Sequence, residues 1–193
     1  MTVKKNHFEE TAKTVISSML IALFARAAIA EPRFIPSESM LPTLKIEDHL
    51  IIEKVSKYAF NASRGDIVVF YPPFLEKEQK GLISDVTRLL SFPNHTAYIK
   101  RVIGLPGETV EVKEGLVYIN NKAIEESYIK EKPFYTMKKI TVPQDSLFVL
   151  GDNRNNSMDG HVWGTLPTKY VVGKAVLNFW PPQRVGKIDN IKY

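Results

Sequence analysis

Two serines lie two residues apart in a short, largely apolar stretch that carries the most suggestive chemistry of the chain. Ser37 and Ser39 stand between Pro36 and Pro42, and the two prolines restrict the surrounding backbone toward extended geometry. In an extended segment, residues two apart project from the same side. The stretch therefore predicts a stiffly held nucleophile with a second hydroxyl beside it. A Ser/Pro loop on a β-domain is the simpler alternative.

A lysine further along the chain could supply the base that such a serine needs. Lys100 lies in an apolar run, 98–103, that predicts a buried strand. If Tyr98 faces inward, strand alternation turns Lys100 inward as well and directs Ile99 and Arg101 to the other face. Burial lowers the pKa of an amine from about 10.4 by up to about 3–5 units. A neutral lysine could take the serine proton, whereas the outward-facing lysine that is usual in strands could not.

Histidine and metal chemistry are the alternatives. Of the four histidines, only His161 stands beside an acidic residue of a candidate loop, Asp159, so a Ser-His-Asp triad would use that pair. Such a triad leaves Lys100 without a purpose. The sequence contains no HExxH motif and no histidines paired at ligand spacing, so we expect no metal site and no cofactor.

The composition limits the classes of protein that the chain can represent. With 193 residues, 44% of them hydrophobic, we expect one folded domain with an appendage. The absence of cysteine excludes disulfides, thiol catalysis and thiolate metal sites. A net charge of +5 favours anionic partners such as phospholipid head groups. Because there is no helix-turn-helix, aromatic RNA-binding signature or lysine block, we expect no nucleic-acid partner.

An apolar segment near the amino terminus, 15–30, is open to three interpretations. It is shorter than the about 20 residues that span a bilayer, and Arg26 interrupts it. As a membrane anchor, it would let Lys13 and Arg26 reach opposite interfaces. As a secretory leader, it would be cleaved after Ala30, which closes an Ala-x-Ala sequence. As a soluble core helix, it would need a partner for Arg26.

The remainder of the chain predicts a mostly β fold. Short β-branched runs separated by Gly, Pro and Asn turns follow one another from Glu47 onward, a pattern typical of antiparallel sheets. Insertions into this pattern are expected at 74–96 and at about 120–140. In the first of them, Ser84 could cap a short helix.

Three stretches of the sequence resemble, in order, the sequence boxes of the type I signal peptidases, which are membrane-bound enzymes that cut leader sequences from exported proteins. The stretches are 35–44 around the two serines, 98–107 around Lys100, and 151–159, which reads Gly-Asp-Asn-Arg-Asn-Asn-Ser-Met-Asp. The resemblance extends over about residues 25–180. It implies an antiparallel β-sheet catalytic domain of the signal-peptidase/LexA type, preceded by one N-terminal membrane-anchor helix.

The function implied by this resemblance is a serine endopeptidase that removes signal peptides with an Ala-x-Ala site from exported preproteins. The resemblance favours the anchor interpretation, because members of the family keep an apolar helix just upstream of the serine box. The implied location is the bacterial cytoplasmic membrane, in contact with its phospholipid, with a single pass and the catalytic domain on the extracytoplasmic side. The chain then divides into a cytoplasmic segment, an anchor helix and the catalytic domain, at 1–13, 14–30 and 31–193.

The same boxes imply roles for individual residues. The resemblance makes Ser39 the nucleophile and Lys100 its general base. The Ser39 backbone N–H and the Ser37 hydroxyl would form the oxyanion hole. Ser157 would accept a hydrogen bond from the Lys100 amine, or donate one to it, and so orient the base.

Other residues are implied to support the loop and to bind substrate. Asp152 and Asp159 would fix the loop that carries Ser157, with Arg101 and Arg154 as natural charge partners. Shallow pockets for small side chains would be lined by Ile35, Pro36, Met40, Leu44, Tyr98 and Ile99. Glu38, between the two serines, occupies a position that we expect to be permissive.

The sequence departs from the family pattern in two places. Gly160 and His161 follow Asp159 where a serine and an arginine are usual. A protonated His161 could replace that arginine as the partner of Asp159, in which case loop order would fall as the pH rises. Arg33 stands where a phenylalanine is common in a substrate pocket, and Phe34 beside it could compensate after a change of register.

Two other functions compete with this interpretation. A self-cleaving repressor of the LexA type uses the same serine–lysine chemistry, but only about 34 residues precede the serine box, which leaves little room for a DNA-binding domain. A catalytically inactive, anchored β-domain that binds peptides would keep the fold without reacting at Ser39.

Overall fold

The computed structural model of the protein describes residues 3–56, 62–72, 74, 97–188 and 191, with only the backbone for 3–6 and 24–28. Within these residues, a helix is followed by twelve strands in two antiparallel sheets. The expected insertion at 74–96, including the short helix predicted from Ser84, lies outside the described residues except for Phe74.

The first element, helix α1, runs from Val3 to Ala28. At about 1.5 Å per residue it is roughly 39 Å long. It begins well before the predicted apolar segment, and half of the preceding residues 3–14 are good helix formers, namely Lys, Glu and Ala. Several of its large apolar side chains lie in solvent, with Ile16 60% and Met19 62% exposed. In the part of the chain that the structure describes, no helix combines the length and the apolar composition that crossing a bilayer requires.

The larger sheet holds eight strands, which are β1 to β4 and β9 to β12. Their bounds are β1 Ala30–Phe34, β2 His49–Glu53, β3 Ile67–Phe70, β4 Tyr98–Gly104, β9 Ser146–Leu150, β10 Leu166–Pro167, β11 Val171–Trp180 and β12 Gly186–Lys187. Seven of them follow the order β1-β2-β11-β3-β4-β9-β10, and β12 pairs with β11. All of the pairs are antiparallel, so the predicted mostly β, antiparallel fold is confirmed.

The smaller sheet has the order β7-β6-β5-β8. Its strands are β5 Thr109–Lys113, β6 Leu116–Ile119, β7 Lys122–Ala123 and β8 Met137–Thr141. Glu114-Gly115 and Asn120-Asn121 form its tight turns, and all four residues have positive φ, as two-residue hairpin loops require. Residues 120–140, expected to be an insertion, therefore supply β7 and most of β8.

Strand β4 is the element that positions the chemistry. It is flanked by β3 and β9, and both of its faces are covered, so every residue from Ile99 to Gly104 is buried. Lys100 is 4% exposed and Arg101 is fully buried. Because neighbours on a strand face opposite ways, the two cations enter different layers of the protein.

Short helical turns complete the fold. Helix α2 spans Gly160–Trp163, and it is capped at Asp159, whose side chain accepts a hydrogen bond from the His161 backbone N–H. The 3₁₀ turns are Glu38–Met40, Arg154–Asn156, Thr168–Tyr170 and Pro182–Arg184. The first two of these turns face each other at the mouth of the pocket described below.

Candidate active site

The two serines lie on a tight turn. Ser37 is extended, and residues Glu38–Met40 then form a 3₁₀ turn closed by the Leu41 N–H, which donates to the Glu38 carbonyl at 3.0 Å. The Ser37 and Ser39 hydroxyl oxygens are 3.4 Å apart. The stretch is therefore extended only in part: Ser37 and Leu41, which precedes Pro42, have the expected extended backbone, whereas Glu38–Met40 between them form a turn. The two hydroxyls nevertheless meet on one side.

The Lys100 amine approaches the second of these hydroxyls. Its Nζ is 2.7 Å from the Ser39 Oγ and 2.9 Å from the carbonyl oxygen of Ile99. Burial lowers the pKa of Lys100 from its usual value to about 8, and the negative charges of Asp159 and Asp152 oppose that shift. Near that pH an amine is about half neutral and has a free lone pair, which can receive a proton from the adjacent hydroxyl.

A cavity of about 390 Å³ opens onto this pair. It is lined by Pro36, Ser37, Glu38, Ser39, Ala97, Tyr98, Ile99, Lys100, Asn156 and Met158. The set includes three of the predicted substrate-binding residues, Pro36, Tyr98 and Ile99.

The other three predicted substrate-binding residues, Ile35, Met40 and Leu44, are at most 2% exposed and belong to the hydrophobic core. Their placement differs from the expectation because these apolar side chains pack beneath the serine turn instead of facing the cavity. A substrate would reach them only if the core opened.

Arg101 binds Asp152, the second residue of the third sequence box. Its Nε and Nη2 donate to the two carboxylate oxygens of Asp152 at 2.8 and 2.6 Å, and its Nη1 donates to the Gly65 carbonyl at 2.8 Å. Thr43 donates its hydroxyl proton to the same carboxylate at 2.5 Å. A bidentate pair of this kind fixes both position and orientation, so the loop is tied to strand β4 one residue after Lys100.

Arg154 has a different partner from the one expected. It does not pair with either loop aspartate but forms two bonds with the Glu126 carboxylate, at 2.7 and 2.6 Å. Tyr128 donates its hydroxyl proton to Glu126 at 2.5 Å, and its ring lies 4.4 Å from the Arg101 guanidinium. The expectation is corrected because Glu126 comes from residues 120–140, whose polar sequence carries no signal of a buried partner.

Asp159 contacts both the start of the loop and His161 through its carboxylate. One carboxylate oxygen accepts the Gly151 backbone N–H at 2.8 Å, and the other lies 2.7 Å from the His161 Nδ1. The His161 ring stacks on Tyr135 with centroids 4.0 Å apart. The position left open by the missing arginine is therefore filled by His161, and this histidine is paired with Asp159.

Ser157 makes no hydrogen bond within the described residues, although its hydroxyl oxygen is buried. A bond between Ser157 and the Lys100 amine is therefore not formed. Ser157 still lies beside the site, because a Cβ added to Gly151 would collide with the Ser157 hydroxyl and with the Ser39 carbonyl oxygen. Gly151 allows the loop and the serine turn to approach this closely.

Asn153 and Asn156, which the sequence analysis did not single out, join the loop to the serine turn. The Asn153 backbone N–H donates to the Ser39 carbonyl at 3.1 Å, and its side-chain amide donates to the Glu38 carbonyl at 3.1 Å. Asn156 donates to the Glu38 carboxylate at 3.4 Å. Both belong to the third sequence box. Their amide side chains within that box are the signal by which they could have been identified.

Arg33 lies outside the lining of the cavity around Ser39. It forms an ion pair with Glu31 at 2.6 Å and donates to the Tyr71 hydroxyl at 3.1 Å. Phe34 is 49% exposed and packs edge-on against His49. Neither residue is among those that line the cavity around Ser39. Within the described ranges, no cluster of three or more ligating side chains could hold a metal ion.

Comparison with known proteins shows which family the chain belongs to. The family model described as signal peptidase, peptidase S26, matches residues 8–180. The signal peptidase I of Leptolyngbya laminosa is 49% identical over 93% of this chain and 83% of its own length. A probable signal peptidase I-2 of Synechocystis sp. is 44% identical over 96% of this chain and 79% of its own length. A solved signal peptidase I from Enterococcus faecalis V583 is 28% identical, with a TM-score of 0.43 over 59% of this chain and 96% of its own.

The chain belongs to the signal peptidase family, peptidase S26. It is an enzyme of that type, a hydrolase that acts as a protease.

Proposed function

We propose that this chain is a serine endopeptidase that removes N-terminal signal peptides from exported preproteins, with Ser39 as nucleophile and Lys100 as general base. The observation that carries the proposal is the 2.7 Å contact between the Lys100 Nζ and the Ser39 Oγ, on the wall of an open cavity. Names of the relatives, which are signal peptidases I, support the choice of substrate. Sites of the Ala-x-Ala type are the proposed points of cleavage.

The proposed reaction is an acyl transfer in two steps. Neutral Lys100 takes the Ser39 proton as the oxygen attacks the scissile carbonyl carbon, and the protonated lysine then gives that proton to the leaving amine. Water, deprotonated by the same amine, hydrolyses the acyl-enzyme and restores Ser39. With a pKa of about 8 for Lys100, roughly a tenth of the molecules hold a neutral base at pH 7.

The proposed oxyanion hole consists of the Ser39 backbone N–H and the Ser37 hydroxyl. The 3.4 Å separation of the Ser37 and Ser39 hydroxyl oxygens supports it, because a donor near the nucleophile can reach the oxygen on which negative charge develops. Ser157 is proposed to accept a hydrogen bond from the Lys100 amine when substrate is bound. Asp152, Asp159 and Arg101 are proposed to support the loop that carries it.

The proposed location is the bacterial cytoplasmic membrane, with phospholipid as the partner of helix α1. Support comes from the apolar side chains that α1 leaves in solvent, of which Val15, Leu20 and Ile21 are all more than half exposed, and from the signal peptidase I relatives. The orientation proposed from the sequence places residues 1–13 in the cytoplasm, the anchor over 14–30 and residues 31–193 outside. Protease accessibility of a tag at either end in sealed vesicles tests that orientation.

The proposed function is tested by incubating the full-length chain with a separate preprotein that carries an Ala-x-Ala site. We expect cleavage by the unaltered chain and by Lys138→Ala, an exposed lysine variant, and no cleavage by Ser39→Ala or Lys100→Ala. Full activity of Lys100→Ala would overturn the assignment of the base. Cleavage restricted to the chain itself would favour the self-cleaving repressor.

A serine-reactive acylating inhibitor separates the enzyme from an inactive peptide-binding domain. Its adduct should form on Ser39 in the unaltered chain. Peptide binding without an adduct would favour the inactive domain.

A further inference from the structure

The residue between the two serines faces the same cavity as they do. Glu38 is exposed and is one of the residues that line the 390 Å³ cavity. Its backbone is held by the turn and by Asn153, whose amide donates to the Glu38 carbonyl at 3.1 Å. The carboxylate is oriented by Asn156, which donates to it at 3.4 Å from the opposite wall. The Glu38 backbone is therefore held by one contact and its carboxylate by the other, at the edge of the cavity that both asparagines adjoin.

Among the residues that the structure describes, no cation neutralises the charge of Glu38. No lysine, arginine or histidine among the described residues lies within ion-pair distance of its carboxylate. The other charged side chain of the lining is Lys100, and that amine must be neutral to act as a base. The described lining residues therefore carry a net negative charge when Lys100 is neutral, although the whole chain has a net charge of +5.

An uncompensated carboxylate next to a nucleophile has a cost for the reaction. The attack of Ser39 places negative charge on the scissile carbonyl oxygen, and a neighbouring anion destabilises that charge. The same anion attracts a positive side chain of the substrate and repels a negative one. A carboxylate at this position therefore acts on the choice of substrate.

We propose that Glu38 is a specificity-determining residue, which favours substrates that carry a lysine or arginine near the scissile bond, at a position other than the two alanines of the site, and disfavours those with an acidic residue there. The proposal rests on the proposed peptidase function, because it concerns the same cavity. It replaces the expectation that position 38 is permissive. Its substrate class is a preprotein with a basic residue flanking the cleavage site.

The test uses the full-length chain and preproteins that keep the two alanines of the Ala-x-Ala site and differ at one other position near the cleaved bond, with Lys, Gln or Glu in turn at each such position. At one position we expect kcat/KM to fall in the order Lys, Gln, Glu, with steps of roughly two- to five-fold. Glu38→Gln should remove this order, and Glu38→Lys should reverse it. Glu125→Gln, an exposed carboxylate that does not line the cavity, should keep it.

Salt gives a second readout of the same charge effect. At about 1 M ionic strength the Debye length falls to about 3 Å. The differences in kcat/KM between the Lys, Gln and Glu preproteins should therefore shrink for the unaltered chain, and Glu38→Gln should show no such differences at either ionic strength. The proposal is overturned if, at every position tested, the unaltered chain and Glu38→Gln rank the Lys, Gln and Glu preproteins in the same order of kcat/KM. If the unaltered chain cleaves none of the preproteins, the peptidase function itself is overturned, and the proposal falls with it.

Discussion

Arg101 and Asp152 form a two-bond ion pair in which neither side chain is more than 1% exposed. Arg101 follows Lys100 on strand β4, and Asp152 follows Gly151 at the start of the loop that carries Ser157. The pair therefore connects the strand that holds the amine to the loop that packs against the serine turn. Because the pair is buried, solvent and salt screen it much less than they would screen an exposed pair.

The first prediction concerns this pair. Asp152→Asn removes the carboxylate charge that binds the buried Arg101 guanidinium, and removing one partner of a buried pair typically costs about 3–5 kcal/mol of unfolding free energy. Denaturant titration measures the loss. Glu111→Gln is the matched control, because it breaks the more exposed Lys113–Glu111 pair and should cost less than about 1 kcal/mol. Equal costs for the two variants would contradict the structural role of the pair.

The second prediction concerns Gly151. A Cβ there would lie 2.5 Å from the Ser39 carbonyl oxygen, closer than packing permits, so Gly151→Ala must separate the loop from the serine turn. We expect cleavage of a preprotein to fall by at least ten-fold, since a displacement of about 1 Å can cost two orders of magnitude in rate. Gly186→Ala, where an added Cβ meets nothing within 4 Å, should keep full activity. Normal cleavage by Gly151→Ala would show that the close approach is not needed.

The third prediction concerns Ser157. Its buried hydroxyl has no hydrogen-bond partner among the described residues, so Ser157→Ala removes no bond from the free enzyme and should leave the unfolding free energy unchanged. If the hydroxyl orients Lys100 once substrate is bound, kcat should fall about two- to ten-fold, the value of one hydrogen bond. Steady-state kinetics and denaturant titration are compared with those of the exposed Ser127→Ala. A loss of stability with unchanged kcat would assign Ser157 a purely structural role.

Local patterns in the sequence account for much of this fold. Alternating β-branched runs with Gly and Asn turns predicted the antiparallel sheets, and the hairpin turn at Asn120-Asn121 has the positive φ values that this pair favours. The apolar run around Lys100 predicted a buried strand, which β4 is. These features depend on residues close together in the chain, where periodicity and turn preferences act.

Features that depend on distant residues could not be predicted in the same way. The pairing of Arg154 with Glu126 joins residues 28 apart, and nothing near Glu126 indicates that its carboxylate is buried. Met40 was expected in a substrate pocket, but the turn at Glu38–Met40 directs it into the core, where it is fully buried. Hydrogen bonds within a turn fix the direction of a side chain, and the prolines alone do not reveal them.

The fourth prediction concerns the stability cost of the buried amine. Lowering the pKa of Lys100 from 10.5 to about 8 corresponds to about 3 kcal/mol of unfolding free energy at neutral pH. The unfolded chain holds this proton more tightly than the folded one, so the penalty is complete below pH 8 and disappears as the pH rises toward 10.5. Lys100→Met should therefore be more stable than the unaltered chain at pH 7 and nearly equal to it at high pH, as measured by denaturant titration.

A matched substitution of an exposed lysine, Lys138→Met, serves as the control for Lys100→Met. It should leave the unfolding free energy unchanged at both pH values, because its amine is hydrated in the folded chain. If the unfolding free energy of Lys100→Met at pH 7 were no higher than that of Lys138→Met, burial of the Lys100 amine would not destabilise the folded chain.

The central claim is that a neutral Lys100 removes the proton of Ser39, and the pH dependence of kcat/KM tests it most directly. For cleavage of a preprotein by the full-length chain, we predict a rate that rises about ten-fold per pH unit below the pKa of the base and levels off above about pH 8. The activity should be absent in Lys100→Ala at every pH. The claim would be contradicted if Lys100→Ala kept activity and its kcat/KM rose with an apparent pKa near 6.5, the range of an imidazole.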